Sequence, residues 1–333
     1  MTSSIQLLRR FCILGAAALL IGAGPALAQT KIDMTIFHAE NTPWTPTIKW
    51  WIAEVDKETE GRVKIVPHYS GSLAPLSETL KAVRNGAVPA GLITAGAASG
   101  QLRYLGYAEA ITGLPVEPAK LNAALTALRP VLEQQLKEVG LEYLWSQTSG
   151  GLISVCRNKH LKTLADWKNT KVRTGGRWQA EQIKSIGASP LSLDPSELYI
   201  ALQNGTIDCT LSIAILASSL KLDQVAPKVT FLQQSNNLSL FVMNKDVFNG
   251  LSEKDRAAIR RVSIQADQRS VKDVMEAQAA GVALLSKVPG NAYQLSNAEH
   301  IELRNALGAA LAPLEAESGA PGQQVKKILD THR

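Results

Sequence analysis

Cysteine and histidine are scarce in this chain of 333 residues, which has three of the first (Cys12, Cys156, Cys209) and five of the second. So few thiols exclude a disulfide-dense small domain, and the scattered His38, His68, His160, His300 and His332 offer no zinc-ligand spacing. Charge of one sign is not concentrated either. The net charge is +6, of which Arg9 and Arg10 supply two, leaving +4 over residues 29–333. A nucleic-acid binder needs a clustered basic face, which this dispersed charge does not make. Beyond residue 28 no run approaches the eighteen apolar residues of a membrane span. The same stretch lacks a G-x-S-x-G elbow, H-E-x-x-H, a phosphate-binding lysine loop and a G-x-G-x-x-G after a strand. Carboxylate pairs such as Glu58/Glu60 fall on solvated helix ends and suggest no acid–base site. No enzyme, cofactor or metal is expected. What is present is ordinary globular material: 45% hydrophobic and 19% charged residues, in a length that suits about two domains.

The N-terminus has three parts in order. A polar stretch ends at Arg9-Arg10, an uncharged run follows from Phe11 to Ala23, and Gly24-Pro25-Ala26-Leu27-Ala28 closes it with an A-x-A pattern. This is the layout of a secretory signal peptide over residues 1–28, with the exported chain starting at Gln29. An uncleaved anchor is the alternative, but Gly24 and Pro25 break the run before it spans a bilayer core. The residues around Arg9-Arg10 match a twin-arginine signal poorly, and no lipoprotein-type box precedes Cys12.

From Lys31 onward, strands and helices alternate. Lys31–His38, Arg62–Tyr69, Ala90–Ala95 and Leu141–Trp145 read as strands; Thr45–Gly61, Leu76–Asn85 and Pro118–Val139 read as helices. This rhythm predicts a parallel sheet wrapped by helices. At Gly150-Gly151 the pattern restarts. Leu152–Cys156, Thr170–Arg173, Pro190–Leu193 and Asp208–Ile213 are predicted strands, with helices at Thr163–Trp167, Gln179–Ile186 and Ser196–Asn204. Leu238–Met243 is apolar and returns the chain to the first unit. Ser252–Lys287 reads as one long helix with a capping-box start, and Ala298–Leu329 as helical with a break at 319–322. The expected organisation is therefore one lobe from 29–151 plus 238–285, a second from 152–237, and a C-terminal helical segment, 286–333, packed on both. Two α/β units joined by strands that cross twice make a clamshell with a ligand site in its cleft.

One stretch carries more specific information. From Asn158 to Asp208 the chain reads NKHLKTLADWKNTKVRTGGRWQAEQIKSIGASPLSLDPSELYIALQNGTID. It resembles the DctP-like solute-binding proteins of tripartite ATP-independent periplasmic (TRAP) transporters. The matching points are Leu161 to Asn169, Lys171-Val172-Arg173, Ile186-Gly187-Ala188-Ser189-Pro190, and Ser196 to Asp208. The stretches EGRVKIVPHYSGSL (60–73) and LKAVRNGAV (80–88) agree with the family too. The resemblance implies a type II-like periplasmic binding-protein clamshell with long C-terminal helices. Such a protein captures a small organic acid and delivers it to the membrane permease subunits of a TRAP transporter, working as a monomer in the periplasm. A binding protein serving a sensor or another uptake system is the alternative reading.

Arg173 is the leading ligand-binding candidate. It ends a predicted strand before Thr174-Gly175-Gly176, where a turn lets backbone and ligand approach, and its guanidinium offers a rigid fork for a carboxylate. From spacing alone a surface arginine beside a turn fits as well; the resemblance assigns this position to carboxylate binding. Trp178 is a further candidate, with a core or surface role as its alternative. Thr94 and His38 end strands at the expected cleft. Alignment with the family adds Ile153 and Ser212. Family members that bind sialic acid carry a second arginine where this chain has Ile153, and Leu211 and Ser212 replace a Glu and an Asn. The pocket is therefore expected to be less polar, with one anchoring charge. The implied topology also sets the strand of Leu152–Cys156 antiparallel to Asp208–Ile213. If Ile153 and Ser212 face each other, Cys156 faces Cys209 and a disulfide can form; two buried free thiols are the alternative.

Overall fold

The computed structural model describes residues 29–111 and 113–332, with backbone alone at 233–236. The expected signal peptide, 1–28, lies outside the described residues. Among the described residues nine strands form one mixed sheet: β1 (Thr30–Thr35), β2 (Val63–His68), β3 (Ala90–Thr94), β4 (Leu141–Cys156), β5 (Lys171–Thr174), β6 (Ser189–Ser192), β7 (Cys209–Ile213), β8 (Lys228–Asn244) and β9 (Ala292–Gln294). The spatial order is β2-β1-β3-β8-β4-β7-β5-β6, with β9 beside β8. β1, β2 and β3 are parallel to one another, as are β5, β6 and β7. The parallel sheet expected from the first unit is corrected at its centre, where β8 runs antiparallel to β3 and to β4, while the expected antiparallel pairing of β4 with β7 is present and β9 lies parallel to β8.

Each half of the sheet is covered on both faces, which is why its strands read as nearly continuous apolar runs. Along β8, Phe241 and Met243 join Ile32, Met34, Trp51 and Trp145 on one face. Leu240 and Val242 join Leu121, Leu125 and Leu128 of the helix Pro118–Glu138 on the other. In the second half, Leu152, Val172, Leu211 and Trp167 share one core, and Ile153, Val155, Leu198 and Val229 the other.

The restart read at Gly150-Gly151 is a bulge within a single strand. β4 runs unbroken for 16 residues, and its register against β8 shifts between Thr148 and Ile153. The polar run Ser146-Gln147-Thr148-Ser149, between the two predicted strands, is buried at all four residues. Gly150 has φ +82°, and a Cβ there would sit 2.5 Å from Gln278 Oε1, so glycine meets both a backbone and a packing requirement. β8 likewise extends ten residues before the predicted Leu238. Both strands cross between the lobes.

The long helix is Glu253–Leu285, with Ser252 Oγ accepting from Asp255 N (3.1 Å). It packs on β4, on Thr45–Glu58 and on Ala214–Ser219, so it touches both halves. Midway along it, Asp267 accepts from Arg129 Nε (2.9 Å) and from Ser146 N (2.6 Å), tying it to β4. After β9, the C-terminal residues form three helices, Asn297–Gly308, Leu311–Glu317 and Gly319–His332. The break expected at 319–322 falls just before it, at Ser318, and a second one lies at 309–310. The first of these helices packs on Arg177–Ser185 and β8, and the last on Pro118–Glu138.

β4 and β7 pair with Ile153 opposite Ser212 and Cys156 opposite Cys209. Cys156 and Cys209 are disulfide-bonded across this ladder, with Cα atoms 4.1 Å apart. A link spanning 53 residues restricts the unfolded chain by about 4 kcal/mol in the loop-entropy treatment. Protein starting at Gln29, denatured without reductant, should therefore yield no titratable thiol. Dithiothreitol should lower its Tm; an unchanged Tm together with two free thiols would remove the bond from the native state.

Candidate functional site

β5 lies between β6 and β7, and its Arg173 pairs with Leu191 on one side and Thr210 on the other. That central position buries the side chain to 7% exposure. Its Nε donates to Leu193 O (3.0 Å). Among the described residues no carboxylate comes within ion-pair distance of the guanidinium. Burial pulls its pKa down to about 10, against the opposing pull of Asp194 and Glu197, so it remains a cation at neutral pH.

Arg173 lines a narrow cavity of about 70 Å³ between the two halves of the molecule. Phe37, Trp44, Leu76 and Thr94 come from the first half, and Pro195, Leu211, Ser212 and Ile213 from the second. Past Leu76, Gly96, Arg173 and Gly175 the space widens into a cleft of about 650 Å³. At that mouth Ser77 Oγ donates to Asp194 Oδ2 (3.0 Å) across the gap.

The turn after Arg173 is clamped. A Cβ on Gly176 would lie 2.2 Å from Gly96 O, and one on Gly96 would lie 2.5 Å from Gly175 O. Only glycines let the two backbones meet this closely. The helix Arg177–Ser185 then starts with no side-chain cap of its own. Glu109, from the helix Gly106–Glu109 across the interface, supplies one. Its Oε2 accepts from Trp178 N, its Oε1 from Gln179 N, and Ser99 Oγ lies by Oε2, each at 3.0 Å. An acidic group at a helix N-terminus satisfies orphan N–H donors. Burial nevertheless raises the Glu109 pKa to about 7, against these hydrogen bonds. Gln179 completes the tie: its Oε1 accepts from Gly175 N (2.9 Å) and its Nε2 donates to Glu109 O (3.1 Å).

Of the sequence candidates, Arg173, Ser212 and Thr94 come together on the cavity wall. Ser212 Oγ is buried there without a hydrogen-bond partner. Thr94 Oγ1 accepts from Ala97 N (3.1 Å), which fixes the start of the next helix. Trp178, His38 and Ile153 sit behind the wall. Trp178 packs at a tilt against Tyr107 (4.7 Å between centroids, 56° between planes) and fills the space over Gly106. His38 packs against Trp44 (5.1 Å), with Nδ1 2.9 Å from Thr42 Oγ1. Burial pushes its pKa down to about 4. Ile153 pairs with Ser212 but packs into the core with Leu198 and Val229. Phe37, Trp44, Glu109 and Gln179 were not foreseen. A lone acid inside the apolar stretch Tyr104–Ile111 was the one available sign that Glu109 has buried partners. No cluster of three His, Cys, Asp or Glu able to hold a metal occurs among the described residues.

Comparison with known proteins agrees with this architecture. The profile of the DctP family, bacterial extracellular solute-binding protein family 7, matches residues 34–317. A solute-binding protein of Verminephrobacter eiseniae is 28% identical over 301 residues, covering 88% of this chain and 86% of that one. The crystal structure of DctP7 from Bordetella pertussis, an extracytoplasmic solute receptor binding pyroglutamic acid, superposes with a TM-score of 0.83 at 20% identity. It covers 90% of this chain and 99% of its own. A TRAP periplasmic solute-binding protein of Desulfovibrio salexigens with bound orotic acid gives 0.84 at 20% identity, over 91% and 98%. At these identities the structural likeness speaks for the two-lobed fold alone. No helix among the described residues is long and apolar enough to cross a membrane. The chain belongs to family 7 of the bacterial extracellular solute-binding proteins, which are receptors and not enzymes.

Proposed function

We propose that the protein is a periplasmic receptor, exported by cleavage after Ala28, that closes on a small monocarboxylate and hands it to the permease of a TRAP transporter. The observation carrying this reading is Arg173: a buried guanidinium on the wall of the cavity between the lobes, with no carboxylate among the described residues paired to it. A buried cation without a counter-ion is costly, and a ligand carboxylate on the planar fork removes that cost. The wall residues Phe37, Trp44, Leu76 and Leu211 suit an apolar or ring-shaped body. Pyroglutamic acid and orotic acid, bound by the two structural relatives, are compact ring monocarboxylates of this kind. Entry needs the lobes to part, because Arg173 is almost wholly covered. Closing then adds contacts from both sides and shifts the open–closed equilibrium.

Arg173→Ala should weaken carboxylate binding by roughly 2–5 kcal/mol, and Arg173→Lys should restore only part, since an ammonium lacks the fork. Calorimetry showing unchanged affinity for Arg173→Ala would remove the anchor. Ligand choice follows from the same wall. Arg173 is the one cation lining the cavity among the described residues, so a second buried carboxylate would have no partner. A thermal-shift panel should accordingly favour apolar or ring monocarboxylates over C4-dicarboxylates and sialic acid. The largest stabilisation appearing with either of those two would overturn this specificity.

A further inference from the structure

Two ionisable side chains line the cavity among the described residues, Arg173 and Glu109, and carboxylate capture as proposed above uses only the first. Glu109 is 1% exposed, and every group bonded to its carboxylate is neutral: two backbone N–H groups and one hydroxyl. The charges on the elements packed around it are engaged elsewhere. Arg103 and Arg177 meet Glu317 (3.8 and 2.7 Å), Lys326 meets Asp330 (3.1 Å), and Glu181 and Lys184 are exposed. β8 presents Asn237 and Ser239 to the cavity. The cavity wall thus carries one buried cation and one buried carboxyl group that are not paired with each other.

A carboxylate entering this space brings a second negative charge beside Glu109, where low dielectric makes like charges costly. Closing the lobes acts in the same direction, because it takes the Glu109 carboxylate out of water. We propose that Glu109 takes up a proton from solvent when the cavity takes up a carboxylate, so that the filled site holds Arg173 and its anion beside a neutral carboxylic acid. The inference rests on the carboxylate reading above. The acid is already poised for this, since its pKa stands at about 7 with the lobes closed. A proton on Oε1 costs the bond from Gln179 N, while Oε2 still accepts from Trp178 N. The Gln179 side chain also keeps its hold on Glu109 O, so protonation leaves the tie between the lobes in place.

The sign follows from linkage. A group whose pKa is raised by binding makes binding stronger at lower pH, and affinity falls as pH rises through the window between the free and bound values, by up to about tenfold per unit. Titration calorimetry with pyroglutamate and with orotate at about pH 7.5, in phosphate and in Tris, reads the proton directly from the difference in apparent heat. The expected result is net proton uptake approaching one, with affinity declining above about pH 7. Glu109→Gln should abolish both the uptake and the slope. Ser99→Ala, which removes a donor to the ionised form but keeps the acid, should move the decline to higher pH. Binding heat without proton uptake, or a Glu109→Gln variant that keeps the wild-type slope, overturns the linkage alone. No heat with either probe overturns the carboxylate reading, and the linkage falls with it.

Discussion

The antiparallel pairing of β4 with β8 is the constraint on which the rest of the molecule depends. Both strands cross between the lobes, and each is an interior strand of both halves. Their ladder shifts register once between Tyr143 and Trp145 and repeatedly between Thr148 and Ile153, where backbone hydrogen bonds no longer hold a single register. The long helix Glu253–Leu285 spans the same junction and is tied to β4 through Asp267. Stiff halves with a loosened seam suit a cleft that must open and shut. The cavity lies at that seam, so its walls come from strands whose positions the ladder sets.

Burial of charge is the second organising cost. The molecule buries Arg173 with one neutral hydrogen bond from its Nε, and buries Glu109 with three neutral donors around it. A fold selected for stability alone would favour apolar groups of similar volume at both places. The contrast with Arg129 and Asp267 is instructive. That pair is also largely buried, but the two charges meet directly, Arg129 Nη2 to Asp267 Oδ2 at 2.6 Å, and serve to fasten elements together. Arg173 has no such partner among the described residues, and it lines the cavity.

Strand and helix positions were readable because each half repeats the β-α-β pattern with clear stops. Glycine and asparagine end the helices after Glu58 and Arg84, and apolar periodicity marks their buried faces. The reading failed where polar residues are buried. Ser146 to Ser149 carry no apolar alternation, so the centre of β4 was assigned to no strand and one strand was divided in two. Strand direction was also hidden. Periodicity is the same for parallel and antiparallel pairing, and nothing in Leu141–Trp145 reports that its neighbour is β8 and not β3.

By itself the sequence determined the two α/β units, the motif that resembles the family and the turn after Arg173; the partner of Cys156 needed in addition the strand pairing that the resemblance implies. These follow from local patterns and from the fixed sum of residue numbers along an antiparallel ladder, which one correct pair extends to the rest. Tertiary structure alone decided which side chains share the cavity. Trp178 and Ile153 lie within or beside the recognised motif, yet their rings and branches fill cores. Phe37, Trp44 and Glu109 lie far from it in the chain and reach the wall through packing. Spacing along a strand or helix says which residues share a face; what that face meets depends on how distant segments of the chain are brought together.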